Sequence, residues 1–599
     1  MKRILPGAVG FCLFSAASPG FSQTSQPASA PSSLPVEPPK LTPKGLDDVS
    51  KGLDDSGFTL VERTFPEEIH AKRFQFFQLD GYFRMRGDQF RRPDLGYSDA
   101  DANGEPLLGL GGRPVLGLPS PLETNPENNA GGFANKGRYS SSNMRLRMEP
   151  VFNASENVRV KIQADILDNV VLGSTPTAFP EVGGLGPSDL DIADIFGSSQ
   201  VPIGDTIRVK RAWAEAKIPY GEVRFGRMGW HFGTGMLSND GNALDSDFGD
   251  TVDRVAFTTK LSDYILTAAY DWGQSGFLTT PVSAGGLGQA IDISQEDDLQ
   301  QFLVSGMRFY TREEEEKLRK RGKVVLQYGL QAFLRRQTAT SEFVVAGQDE
   351  NTAVLADRNG LAVYGDLWGK LVWKDLRLEP EFVGLYGKVQ CLSNAQPGVG
   401  AGQCLDPAGA KAGSPLDMLA GGLVLRGDYS LAKGQWLVGG EVGAASGDDQ
   451  ASYSLSLQNQ TELDPAQNAR LTNFLFDRDY HVDLLLFREL LGTVNNATYI
   501  KPSVSFSPFT QLKLTGSSIV SFILSPSSEA NAPLNPNGKS PLGVEFDLGG
   551  EYRTSDNFFA GLSWGILVPL SGLSAINNQG TVFEGKTAQA FRLNLGVSF

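Results

Sequence analysis

Residues 590–599 read AFRLNLGVSF, and this stretch decides the fold. Side chains of a strand alternate with period two, so Phe591, Leu593, Leu595, Val597 and Phe599 share one face. Arg592, Asn594, Gly596 and Ser598 share the other. In a soluble domain a terminal segment is normally frayed and polar. An apolar face carried through to Phe599 instead suits a strand with lipid on one side and a polar lumen on the other.

The same alternation recurs upstream. Leu79, Gly81, Phe83 and Met85 oppose Asp80, Arg84 and Arg86, and Met144, Leu146 and Met148 oppose Arg145, Arg147 and Glu149. Val158, Val160, Ile162, Ala164 and Ile166 oppose Arg159, Lys161, Gln163 and Asp165. The repeating segments run about 10–14 residues, the length a tilted strand needs to cross a bilayer. They are paired through tight turns near residues 154–156, 219–222, 261–263, 374–375, 431–435, 508–511 and 554–557, with a charged turn at 312–321. Long polar insertions separate the pairs at 88–138, 168–206, 231–251, 273–299, 337–359, 390–415, 447–496, 524–540 and 571–585. Short turns at one rim and long loops at the other predict an all-β fold, a transmembrane antiparallel β-barrel of about 18 strands with periplasmic turns and extracellular loops. In residues 207–218, IRVKRAWAEAKI, the alternation changes phase near Lys210 and Arg211, which predicts a β-bulge.

Bulk properties agree. A chain of 599 residues exceeds one ordinary globular core, which stops growing at about 250–300 residues. No window reaches the roughly 18 consecutive apolar residues of a membrane helix. The slightly negative mean hydropathy fits a barrel, because only every second strand residue meets lipid. A net charge of −15 excludes general affinity for nucleic acid. Residues 1–22 have a basic start at Lys2 and Arg3, an apolar run and small residues, predicting a signal peptide cleaved near Ala17 or Ser22. Residues 23–70 read as a disordered, Pro/Ser-rich periplasmic linker, and residues 71–599 as the barrel. Within the linker KGLDDVS is nearly repeated as KGLDDSG, too few copies for a solenoid. Of three cysteines, Cys12 leaves with the signal, and Cys391 and Cys404 are expected to form one local disulfide in an exported chain.

Candidate chemistry concentrates on the polar strand faces. Arg84, Arg86, Arg145, Arg147, Arg159, Lys161 and Arg208 form a basic ladder lining the pore, with Asp80, Glu149 and Asp165 among them. Unpaired, the ladder favours anions; neutralised by those acids and Glu215, it becomes structural salt bridges. Residues 479–491, DYHVDLLLFRELL, predict a loop folded back into the barrel, with Asp479, His481, Asp483 and Arg488 at a constriction. Asp99, Asp101 and Asn103 resemble half a calcium loop, but Leu110 stands where the bidentate Glu belongs and Pro106 interrupts; Asp245–Asp250, DSDFGD, is a similarly weak match. No cofactor is expected. A barrel enzyme needs a histidine beside a nucleophile, yet only His70, His231 and His481 exist and no GxSxG elbow accompanies them, so no enzyme is expected. Trp272, Trp373, Trp436 and Tyr552 suit interfacial girdles, and Trp213 and Trp368 point inward, where sugar stacking is the rarer role.

Residues 211–236, RAWAEAKIPYGEVRFGRMGWHFGTGM, resemble a hairpin of outer-membrane porins and alginate-export-type barrels. GEVGAASGDD at 440–449 resembles a strand end of the same group, and 479–502 resembles a segment of uncharacterised proteobacterial outer-membrane proteins. The resemblance implies a Gram-negative outer-membrane channel passing small hydrophilic solutes, with an anionic preference expected of the ladder. It implies partners too: outer-membrane lipids and the barrel insertion machinery, which would read the last strand through Phe591 and Phe599. Two alternatives stay open: secretion of an anionic polysaccharide, and a plugged barrel acting through its loops as a surface binding protein.

Overall fold

The structure, a computed structural model, describes residues 75–96, 107–108, 138–172, 207–273, 298–343, 353–389, 416–447, 470–526, 538–577 and 581–599. The expected signal peptide, the linker, Cys391, Cys404, and Asp99, Asp101 and Asn103 lie outside the described residues.

Eighteen long strands form one sheet closed on itself. In chain order they are β1 Phe77–Arg91, β2 Arg138–Asn153, β3 Val158–Val171, β4 Arg208–Ile218, β5 Gly221–Gly229 and β6 Thr251–Leu261. There follow β7 Tyr264–Gly273, β8 Leu299–Arg308, β9 Val325–Phe343, β10 Ala353–Trp373, β11 Leu376–Val389 and β12 Leu416–Leu431. The last six are β13 Trp436–Ala445, β14 Ala497–Phe509, β15 Leu512–Ile523, β16 Pro541–Arg553, β17 Phe558–Pro569 and β18 Ala588–Ser598. Each is antiparallel to its neighbours in sequence, and β18 pairs with β1 from Tyr82↔Ser598 to Arg91↔Gln589. Closure leaves no unpaired edge for solvent or lipid to meet. Backbone bonds of 3.0 Å in both directions between Gly81 and Phe599 finish the seam.

The polarity of this sheet is inverted relative to a soluble protein. Phe591, Phe382, Leu548, Val304 and Leu562 point outward and are exposed, whereas Arg84, Arg145, Asp165 and Glu545 point inward and are buried. An apolar belt around a polar interior is the arrangement of a barrel spanning a bilayer. Trp373, Trp436 and Tyr552 sit outward near the tight turns, and Trp272 lies towards the opposite rim.

The predicted bulge is present. Gln163 faces Arg211 and Ala164 faces Val209, so Lys210 is left unopposed on β4. The bulge turns two consecutive basic side chains towards the lumen: Lys210 lies 3.1 Å from Asp168, and Arg211 donates to the carbonyl of Asp250 at 2.9 Å. The charged turn at 312–321 is more than a turn. It holds a short α-helix, α1, Arg312–Lys320, opened by a capping box between Thr311 and Glu314.

Candidate functional site

Two of the long connections fold into the lumen. The β5–β6 loop, 230–250, and residues 474–496 between β13 and β14 bury most of their side chains inside the barrel. Each is fixed to the wall by a different chemistry.

The first loop grips the arginine ladder. Asp247 takes Arg86 at 2.6 Å, Arg145 at 3.1 Å and Arg84 at 3.3 Å. Arg84 and Arg145 also donate, each at 2.7 Å, to the carbonyls of Leu244 and Ser246. Asp245 meets Arg488 at 2.7 Å and Arg86 at 3.3 Å. Asp245 and Asp247, within the weak calcium match DSDFGD, are therefore counter-charges to arginines; no group of three or more His, Cys, Asp and Glu side chains that could hold a metal ion occurs among the described residues. Burial disfavours ionisation of both carboxyls, but Arg488, Arg592 and Arg86 outweigh it at Asp245, and Arg86, Arg84 and Arg145 at Asp247; both are held well below the usual carboxylate range.

The far end of this loop reaches the opposite wall. Trp230 packs edge-on to Phe333 of β9, ring centres 5.1 Å apart, and donates to Gln331 at 3.1 Å. Phe232 packs with the buried Trp368 of β10, whose indole is bonded to Glu379 at 3.0 Å. The N–H of Thr234 is capped by Glu381 of β11. Gly233, at φ +63°, precedes it, and a Cβ there would strike the Glu381 carboxylate.

The second loop is held by an acceptor and by apolar packing. Glu545 of β16 accepts the N–H groups of Leu484, Leu485 and Leu486 at 3.0, 2.8 and 2.9 Å. Asp483 accepts from Phe487 and Arg488 at 2.9 and 3.1 Å around the π-helical turn Leu486–Leu490. Burial and the neighbouring Asp547 push the Asp483 carboxyl up to about 7. Leu484–Phe487 and Val494 join an apolar cluster with Phe90, Val389, Val424, Ile519 and Leu542 from the wall. The two loops also interlock: Asp479 accepts the N–H groups of Asp247, Phe248 and Gly249 at 3.0, 3.0 and 2.6 Å. His481 lies 3.8 Å from Asp479, and burial with Arg488 nearby lowers its imidazole to about 3.

The remaining sequence-selected residues are placed as follows. Arg147 is bidentate to Asp165 at 2.7 and 2.9 Å, and Lys161 meets Glu215 at 2.9 Å; Arg159 is paired with Glu215 too. Glu149 accepts from Gln163 at 2.6 Å. Arg208 stands apart, largely exposed at the start of β4 and 3.5 Å from Asp168. Phe591 and Phe599 face outward. Against the first loop, a small, partly enclosed cavity is lined by Asp80, Glu149, Lys161, Arg211, Trp213 and Asp240, among others. Reading the sequence missed Arg592, which joins Asp88, Asp245 and Glu489 although it lies in the opening stretch, and the wall anchors Glu381 and Glu545.

Fold and lumen together define a transmembrane β-barrel narrowed by two braced loops. No protein-family model matches the chain, and no curated protein matches it. Among solved structures it is similar to OccAB1 of Acinetobacter baumannii, at 10% identity and TM-score 0.42 over 87% of this chain and 96% of that one. It is similar also to a BenF-like porin from Pseudomonas fluorescens Pf-5, at 10% and 0.40 over 87% and 98%. A third is Pseudomonas aeruginosa OpdK with vanillate, at 9% and 0.39 over 87% and 99%. The barrel itself is established by its own strand register.

Proposed function

We propose that this chain is an outer-membrane channel that passes small hydrophilic solutes by diffusion through a constriction formed by residues 230–250 and 474–496. The observation that carries this reading is the lumen: charged, left partly unfilled against the first loop, and narrowed by loops with their own fixed contacts. An 18-strand barrel without such loops encloses a wide aqueous path. The cavity lined by Lys161, Arg211 and Asp240 leaves part of the lumen unfilled by the loops. On this reading residues 1–22 direct export and are cleaved, residues 23–70 remain in the periplasm, and Phe591 and Phe599 present the last strand to the insertion machinery.

Charge selectivity follows from pairing. Arg84, Arg86, Arg145 and Arg147 all lie within 3.5 Å of a carboxylate, so their first role is bracing and the anion preference of the ladder is small. Export of a thick polymer fits less well, since the first loop reaches from Arg86 on β1 to Phe333 on β9. A plugged scaffold is the second reading, favoured by the apolar packing of Leu484–Phe487. Swelling of liposomes holding the refolded protein separates them. Uptake of small amino acids and pentoses, falling steeply with solute size, supports the channel; no uptake of any solute supports the scaffold.

A further inference from the structure

Every neighbouring pair of barrel strands except one is joined in chain order by a turn or a loop. The exception is the seam, where Asp88 of β1 faces Arg592 of β18 across 504 residues of chain. Bringing ends so distant together carries the largest loop-closure cost in the fold, and no turn tethers the two strands afterwards. On the lumen side of this seam both infolded loops place a carboxylate. Asp245 of the first loop lies 3.3 Å from Arg86 of β1 and 3.5 Å from Arg592 of β18, so it touches both seam strands. Glu489 of the second loop lies 2.8 Å from Arg592. Arg488 ties the two loops together at the same point, 2.7 Å from the Asp245 carboxylate and 3.2 Å from its carbonyl. On the wall, Asp88 pairs with Arg592 and lies 3.2 Å from Arg86.

We propose that Asp245 and Glu489 form a clasp over the seam: the docked loops hold β1 and β18 together, and seam and loops open as one unit. Arg86, Arg488 and Arg592 meet Asp88, Asp245 and Glu489, so the cluster is balanced, and removing one acid leaves a buried arginine short of counter-charge. Arg592 and Arg86 are 5% and 7% exposed, too little for water to take the place of a lost partner. The arrangement also fixes an order of assembly. Arg86 pairs with Asn594 and Asp88 with Arg592, so Arg86 and Arg592 become diagonal neighbours only once β1 has met β18. The site that receives Asp245 therefore exists only in the closed barrel, and the loops dock last, locking the closure that precedes them. Glu545, which anchors the second loop, lies on β16, two strands from the seam, so a weakened anchor there reaches β1 and β18 through Arg488 and Glu489.

The test is hydrogen–deuterium exchange on the full refolded chain at pH 7, which reads the seam whether or not the barrel conducts. Amides of residues 86–91 and 589–594, at the seam, are compared with those of 255–259 and 266–270, a stretch of β6 and β7 that holds no clasp residue. Asp245→Asn keeps the shape of the side chain and removes its charge. Protection at the seam is expected to fall by about tenfold, the scale of one lost charge-assisted contact, with β6 and β7 unchanged. Glu489→Gln is expected to act alike. Glu545→Gln touches neither seam strand, yet it is expected to lower seam protection too, because the loosened second loop carries Glu489 away. Seam protection that stays unchanged in all three variants would overturn the clasp. So would an equal loss along β6 and β7, which marks a general destabilisation of the barrel.

Discussion

Asp247 lies 2.6 Å from Arg86 and within 3.3 Å of Arg84 and Arg145, so one loop carboxylate contacts three arginines from two neighbouring strands. The two strands are in register at this point, Arg84 facing Arg145, which brings three like charges to one spot of the wall. Such a cluster is stable only with a counter-charge among it, and the counter-charge is what holds the loop inside.

Replacing Asp247 by Ala is therefore expected to take away the carboxylate partner of the buried Arg84, while Arg86 keeps Asp88 and Asp245 and Arg145 keeps Asp168. Breaking a buried pair costs roughly 3–5 kcal/mol, enough to displace residues 244–248 from the wall. Single-channel recording of D247A is expected to show a larger conductance and a reversal potential shifted towards anions.

Glu545 has a different task. Its carboxylate accepts three consecutive N–H groups, and the amide of Glu545→Gln offers one oxygen where two stood. An unsatisfied buried donor costs about 1–3 kcal/mol. The expected outcome is faster amide exchange at Leu484–Leu486 and a noisier open-channel current, with the barrel still folded by heat-modifiable gel migration.

Leu485 is fully buried in the apolar cluster. Leu485→Ala leaves a cavity worth about 2–5 kcal/mol, borne by the loop rather than by the strand ladder. Loosening of residues 484–487 in exchange experiments, without loss of protection in β16, is expected.

Acid is expected to leave the loops in place. Asp245 and Asp247 are held below their ordinary range, so their bracing is complete above the unfolded carboxylate range and is lost only as pH falls through the depressed values. His481, lowered to about 3, stays uncharged through the same interval. Conductance should be constant from pH 7 to pH 4.5, and His481→Gln should not alter that profile.

The strands were legible in the sequence because alternation of period two is local: Phe591 to Phe599 and the phase change at Lys210 need no distant partner to be read. The infolding of residues 479–491 was legible from an apolar run, Leu484–Phe487, inside a polar insertion. The function of DSDFGD was not, because the arginines that Asp247 meets lie 102 and more residues earlier, and spacing alone cannot distinguish a loop that binds a cation from one that meets a basic wall. The same distance hid Glu545, whose partners are 59–61 residues away. The helix α1 was readable from Thr311 and Glu314 as a capping box, a signal masked by its run of charges.

The most direct measurement is single-channel conductance of the refolded protein in a planar bilayer, with the reversal potential taken under a salt gradient at pH 7. The expected result is a small, steady conductance with little preference for either ion sign, since the ladder arginines are paired. A barrel that is electrically silent at every potential, with D247A silent too, would contradict a constricted channel and leave a plugged scaffold in its place.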